Sequence, residues 1–351
     1  MYKQLIILLV VVFSLVSCHQ DSITLVERDY TTGILISGEG SGAGTGSVTY
    51  LSSDQSAKHQ YIYLSANGVQ LGTFLQSIAF SEISAYIIVD NTNTISVVDK
   101  SSFIKTGEIK EDLKTPRFMT VIGEKGYVTN WGDPYNTTDD FIAVVDLSNN
   151  KVEKTISVGN GPERIISKGN KLYVSHKGAY GTNNIISIID TLSDSVSEIK
   201  VEDNPDELFF NSHDNLVVLS EGNTIYNPTD WSIEGHTVGA IQTIDVTSNT
   251  VISSLPFKEG EHPSLMVFDA GEIYYYAEGK VFKINENDEV LSATVLIAQN
   301  LYGMDVKYGR LYGVEPNYTA QSSFYVFDLE TQEQTFTTKV ALGASKIYLR
   351  D

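Results

Sequence analysis

Seven short apolar runs, most closing on an acidic or amide residue, recur along the chain at near-equal intervals. They are Val48-Thr49-Tyr50, Val97-Val98-Asp99, Val144-Val145-Asp146, Ile188-Ile189-Asp190, Thr243-Ile244-Asp245, Lys283-Ile284-Asn285 and Val326-Phe327-Asp328. Successive closing residues stand 49, 47, 44, 55, 40 and 43 positions apart, against roughly 40–50 residues for one four-stranded propeller blade. The period predicts an all-β chain, a seven-bladed β-propeller of four-stranded blades.

The internal order of a repeat is clearest from Gly161 to Asp190: a Pro-containing turn, a short strand, Lys171-Leu172-Tyr173-Val174, a polar loop, then Ile185 to Ile189. Alternating and β-branched runs punctuated by Gly, Asn and Asp are strand and turn chemistry, and no mature segment carries a long helical period. The closing Asp residues precede turns such as Leu147-Ser148-Asn149-Asn150. A short carboxylate there accepts hydrogen bonds from turn amides, so these residues are expected to be structural. Ser345 to Leu349 reads as a first strand without a successor, and Gly33 to Ser37 as a second strand without a predecessor. Pairing them closes the ring and removes the exposed edges that would template aggregation. Residues 33–351 then form one domain of seven blades averaging about 46 residues.

The N-terminus is a separate object. Lys3 precedes an apolar stretch from Leu5 to Val16, shorter than the roughly 20 residues of a membrane-spanning helix and suited to a secretory signal. It runs into Leu15-Val16-Ser17-Cys18, similar to the lipobox of bacterial lipoproteins. Residues 1–17 are thus expected to be a signal peptide, Cys18 the lipidated residue and 18–32 a polar tether. Cys18 is the only cysteine, which leaves no intramolecular disulfide, thiol nucleophile or cysteine metal site in the mature body.

The formal charge is −20, and −21 once residues 1–17, with their single lysine, are removed. A surface this acidic repels phosphate backbones and anionic lipid. Nucleic-acid binding is not expected, and membrane attachment is assigned to the acyl chains. Gly38 to Gly46 has glycine spacings like those of phosphate loops, but no helix and no correctly placed lysine follow it.

Tyr127-Val128-Thr129-Asn130 is a literal YVTN motif, and Gly161-Pro162-Glu163-Arg164 with Lys171 to Ser175 is similar to the strand pair that follows it in YVTN-type propellers. Gly33 to Tyr50 and Asn130-Trp131-Gly132-Asp133 resemble a surface-lipoprotein branch of that family. The resemblance spans essentially the whole mature chain. It implies a non-enzymatic lipoprotein of the outer membrane, facing outward, that captures a small molecule and passes it to a TonB-dependent transporter. Some members of the branch capture cobalamin, so a corrinoid is the first ligand expected; others of similar build are implicated in capturing siderophores or have no known ligand, and no cofactor is implied.

In a four-stranded blade the second-to-third loops and the fourth-to-first turns share one face of the ring. The long loops there, 131–140, 176–184, 221–239 and 315–323, hold Trp131, Tyr135, His176, Tyr180, Tyr226, Trp231 and Tyr318. Exposed aromatics supply contact area at low entropic cost, and their other reading is local packing over neighbouring blades. The loop at 221–239, long and without strand or helix pattern, is expected to act as a lid. Arg117, Arg164, Glu207 and Tyr302 begin innermost strands and are expected at the central mouth, either meeting a ligand or pairing between blades. The ligand-binding set is therefore Arg117, Trp131, Arg164, His176, Tyr180, Glu207, Trp231, Tyr302 and Tyr318.

Two other functions remain open. One is a scaffold that binds protein or glycan. The other is a metal-dependent hydrolase or lactonase, because Glu39, Asn91, Asn130 and Glu315 fall at equivalent strand ends, with His176 nearby, and offer ligands for a hard cation.

Overall fold

A computed structural model describes residues 28–42 and 44–350. The signal segment, Cys18 and most of the 18–32 tether lie outside the described residues. Among the described residues, seven four-stranded antiparallel sheets form the blades of a β-propeller. From blade 1 to blade 7 the innermost strands are Ala344–Arg350, Leu75–Phe80, Pro116–Ile122, Pro162–Lys168, Pro205–Phe210, Leu265–Asp269 and Gly303–Lys307.

Each strand behaves as it does because both faces of a blade are covered. In blade 3, Ala143 and Val145 pack toward blade 2 with Val128, whereas Ile142 and Val144 pack toward blade 4 with Tyr127. Successive side chains point to opposite faces of a strand, so a run such as Phe141–Asp146 is apolar almost throughout rather than alternating. Seven such clusters, one at each seam between blades, take the place of a single core.

The closing strands pair as expected: Gly33↔Arg350, Ile34↔Leu349, Leu35↔Tyr348 and Ile36↔Ile347. The turn role of the closing Asp residues also holds. Asp146 accepts the Ser148 amide at 2.9 Å, Asp190 the Leu192 amide at 2.9 Å and Asp245 the Thr247 amide at 2.7 Å. At Asp99, hydrogen bonds from Ser101 and Ser102 hold the carboxyl down at about 2.

Three features depart from the sequence reading. Blade 1 ends in a two-residue strand, Lys58–His59, followed by a helical turn, Ile62–Asn67, that buries Ile62 and Tyr63. Six residues are too few to leave a helical period. The docked body starts before Gly33: the buried Tyr30 ring meets Tyr50 at 4.9 Å and Phe103 at 5.7 Å, and its amide donates to Ser101 O at 2.8 Å. Tyr30 thus belongs to the seam of blades 1 and 2. The 221–239 loop is not patternless, because Asn223–Tyr226 and Ile233–Thr237 pair as a hairpin standing off blade 5.

Candidate functional site

The innermost strands of blades 3, 4 and 5 open on Pro116, Pro162 and Pro205. A proline at the start of a strand leaves no ladder donor unused. The charged residues that follow each proline come to the channel mouth. Arg117 Nε and Nη2 grip Glu163 of blade 4 at 3.0 and 2.9 Å, and its Nη1 reaches Asp90 of blade 2 at 3.0 Å. Arg164 binds Asp206 of blade 5 at 2.9 Å and also Glu207. Lys177 completes the series, bonding Asp206 at 3.1 Å and Glu221 at 2.8 Å. Three cations therefore tie blades 2 to 5 together.

Burial pushes the Asp206 carboxyl up, but Lys177 and Arg164 outweigh it and hold the group below the usual carboxylate range. Burial dominates at Asp90, Glu39, Glu207 and Glu221 and raises all four, against the pull of the neighbouring cations.

The other arc of the mouth differs. Lys346, on the closing strand of blade 1, makes no ion pair or hydrogen bond among the described residues; its ammonium stands 5.8 Å from the Tyr302 ring. Burial and the nearby Arg164 lower its affinity for a proton. Glu39, Tyr302 and Lys346 share a cavity of about 220 Å3 with Arg117, Arg164 and Trp131. A second cavity of about 250 Å3, deeper in the channel, also has Phe118, Arg164, Leu265 and Lys346 in its wall.

Above the charges lies an aromatic array. The Arg117 guanidinium stacks 3.8 Å from the Trp131 ring centre. Trp131 meets Tyr180 edge-on at 6.2 Å, and Tyr180 meets Tyr135 at 5.0 Å. Tyr135 and Tyr180 are 84% and 66% exposed, so the array opens to solvent on one side.

Of the nine residues expected to bind a ligand, Arg117, Trp131, Arg164 and Tyr302 line the mouth, Glu207 the channel below it, and Tyr180 adjoins Trp131. Tyr318 is the neighbour of Tyr302; burial is the main reason both phenols are raised, and each acts on the other's proton affinity. Trp231 stands apart at the turn of the hairpin, 75% exposed and outside the cavity wall. His176 is not a loop residue. It ends strand Lys171–His176 fully buried, bonded to Ser187 Oγ at 2.8 Å and Asn160 O at 3.2 Å, and burial lowers its pKa to about 4. Such a side chain does not reach a ligand at the mouth.

Three residues of the hard-cation set are engaged locally. Asn130 is buried and bonds the Lys114 amide and Val128 O, Asn91 bonds Thr73, and Glu315 accepts from Tyr325. Among the described residues no three His, Cys, Asp or Glu side chains cluster as metal ligands. The sequence reading passed over Asp90, Lys177, Glu221 and Lys346. Glu163 and Asp206 were signalled by the repeated proline-acid steps Pro162-Glu163 and Pro205-Asp206.

The same fold recurs in proteins of distant sequence. A functionally unknown protein from Desulfotomaculum acetoxidans superposes with a TM-score of 0.65 at 11% identity, covering 91% of this chain and 98% of that one. Hydrazine synthase of Kuenenia stuttgartiensis gives 0.57 at 19% identity over 80% of this chain and 91% of its own. Apo AztD from Citrobacter koseri gives 0.55 at 13% identity over 90% and 96%. Likeness at these identities is one of fold, not of activity. No curated protein matches the chain. Residues 32–340, nearly all of the described propeller, match the family described as "Domain of unknown function (DUF5074)", and the chain belongs to that family.

Proposed function

We propose that the propeller is a non-enzymatic capture protein that binds a small molecule on the mouth formed by blades 1, 3, 4 and 7. The observation that carries this reading is the open aromatic array. Tyr180 and Tyr135 present their rings to solvent beside the partly buried Trp131, over a mouth that contains Lys346, which has no ion-pair partner among the described residues. Contiguous exposed aromatic surface is characteristic of recognition sites. The cavity beneath it is small, so a large ligand rests on the array and sends only a side group into the mouth.

A flat, amide-rich corrinoid meets these demands: its face packs on the rings, and its side-chain amides find the raised carboxyls of Glu39 and Glu221 and the Lys346 ammonium. The resemblance to cobalamin-capturing lipoproteins adds to that choice. With it come lipid anchorage at Cys18, an outward-facing outer-membrane location and delivery to a TonB-dependent transporter.

The test is calorimetric titration of the full chain in detergent with cyanocobalamin. One-to-one binding, weakened at least about tenfold in Trp131→Ala and Tyr180→Ala, is the expected result; an aromatic hot spot is worth about 2 kcal/mol or more. The absence of both heat and thermal stabilisation removes the corrinoid, and binding indifferent to both substitutions removes this mouth.

A further inference from the structure

Below the turn of the hairpin on blade 5, two imidazoles and a hydroxyl meet at one point. Thr224 and His236 are cross-strand partners in the hairpin, and His262 belongs to the segment entering the innermost strand of blade 6. His236 Nδ1 lies 3.0 Å from His262 Nε2, Thr224 Oγ lies 3.1 Å from His262 Nε2, and Thr224 Oγ lies 3.3 Å from His236 Nδ1. All three residues are partly exposed, so solvent ions reach them.

One contact fixes a tautomer in this triangle. His262 Nδ1 faces the Glu221 carbonyl oxygen at 2.9 Å. A carbonyl only accepts, so Nδ1 carries the hydrogen and neutral His262 turns the lone pair of Nε2 inward. If His236 is protonated on Nδ1, its N–H donates to that lone pair and the Thr224 hydroxyl turns its own hydrogen to solvent. If it is protonated on Nε2, two ring lone pairs oppose each other at 3.0 Å, and the hydroxyl can relieve only one of them. In the second arrangement both ring lone pairs and the hydroxyl oxygen face one another, a set of acceptors that a cation satisfies.

We propose that His236 and His262, with the Thr224 hydroxyl, bind a divalent transition-metal ion of the class that favours imidazole, zinc or copper. Three atoms separated by 3.0, 3.1 and 3.3 Å are spaced like corners of a tetrahedron about a centre roughly 2.0 Å away, the zinc–nitrogen distance. Imidazole nitrogen suits zinc, copper and nickel, whereas hard cations prefer oxygen sets. The Glu221 carbonyl supplies the outer hydrogen bond that orients a metal-bound histidine. Solvent completes the coordination, and the net charge of −20 draws cations toward the protein.

The ion joins the hairpin to the entry of blade 6. It also acts on the backbone of Glu221, whose carboxylate is held at the mouth by Lys177. The site stands independently of what the mouth captures.

The experiment titrates untagged, chelator-treated full chain in detergent with zinc chloride by calorimetry, and follows amide exchange of residues 223–237 with and without zinc. The expected result is one-to-one binding with slower exchange across the hairpin, weakened at least tenfold in His236→Ala and in His262→Ala and unchanged in His213→Ala, a surface histidine elsewhere. If either alanine variant does not fold, the wild-type exchange measurement decides. Neither heat nor altered exchange, or zinc binding that survives both substitutions, overturns the site and leaves a strained hydrogen-bonded pair only.

Discussion

The turn Gly159-Asn160-Gly161 between blades 3 and 4 sits between two buried titratable groups whose effects on stability oppose each other. Asp140, 2% exposed, accepts the Gly161 amide at 2.8 Å through Oδ1, while its Oδ2 has no partner. Burial, aided by Asp139, raises its carboxyl from 3.8 to about 6. The fold then holds that proton more tightly than the unfolded chain does. Its stability is full below 3.8 and is lost as pH rises to about 6, by at most about 3 kcal/mol.

His176 works in the other direction. Its pKa falls from 6.5 to about 4 on burial, so stability is full above 6.5 and is lost as pH falls toward 4, again by at most about 3 kcal/mol. The two slopes cancel across much of the interval, and the wild type is expected to show only weak dependence on pH from these groups. Single neutralising variants expose each slope. Asp140→Asn gains stability over the wild type at pH 7.5 relative to pH 4, and His176→Gln shows the reverse. At roughly 2 °C per kcal/mol for a chain of this size, each difference reaches up to about 6 °C in thermal scans at the two pH values. Equal shifts at both pH values, or the same sign for both variants, would refute the assignment of these slopes to desolvation.

Arg117→Met leaves Glu163 and Asp90 facing each other without their cation and is expected to cost about 3–5 kcal/mol; adding Glu163→Gln restores part of it, as a double-mutant cycle in thermal unfolding checks. Deleting 344–351 removes the innermost strand of blade 1 and leaves Gly33–Gly38 paired only with Ser47–Leu51, its inner edge open. The cooperative transition is expected to be lost, with aggregation in sedimentation analysis. Lys346→Met relieves a buried ammonium whose proton affinity burial has lowered. Stability contributed by such a lysine is full only above its unfolded value and is lost as pH falls below it, so the variant should melt higher at pH 7 while binding the captured ligand more weakly.

What the sequence disclosed and what it hid follow from the same geometry. Blade strands are covered on both faces, so they leave long β-branched runs, and turns between them need Asp at fixed places; together these made the ring legible. The hairpin Asn223–Tyr226 with Ile233–Thr237 stands off the ring, and Ile225, Tyr226 and Ile233 are exposed. Without a buried face it has no alternation to read. His176 was misplaced because its strand runs one residue further than Tyr173-Val174-Ser175 suggests, which carries a polar side chain into the seam. Lys346 was hidden for another reason: within Ser345 to Leu349 it reads as an ordinary polar strand position, and only ring closure turns that face toward the channel.

The two readings of the mouth charges, ligand contact and pairing between blades, divide the ring between them. Arg117, Arg164 and Lys177 are committed to acids of adjacent blades, and withdrawing any of them would leave a buried carboxylate unpaired, a penalty of several kcal/mol. A ligand gains little by competing for them. Lys346 has no such commitment, and Glu39 beside it is held toward its protonated form by burial. The arc where Gly33–Gly38 meets Ala344–Arg350 therefore offers an amine without an ion-pair partner and a buried carboxyl next to the Tyr302 and Tyr318 phenols, while blades 2 to 5 supply a rigid, prepaired floor. On the proposed capture reading, polar specificity belongs to the first arc and apolar contact to the Trp131 array across the mouth, a division that lets the ring hold its shape whether or not a ligand is bound.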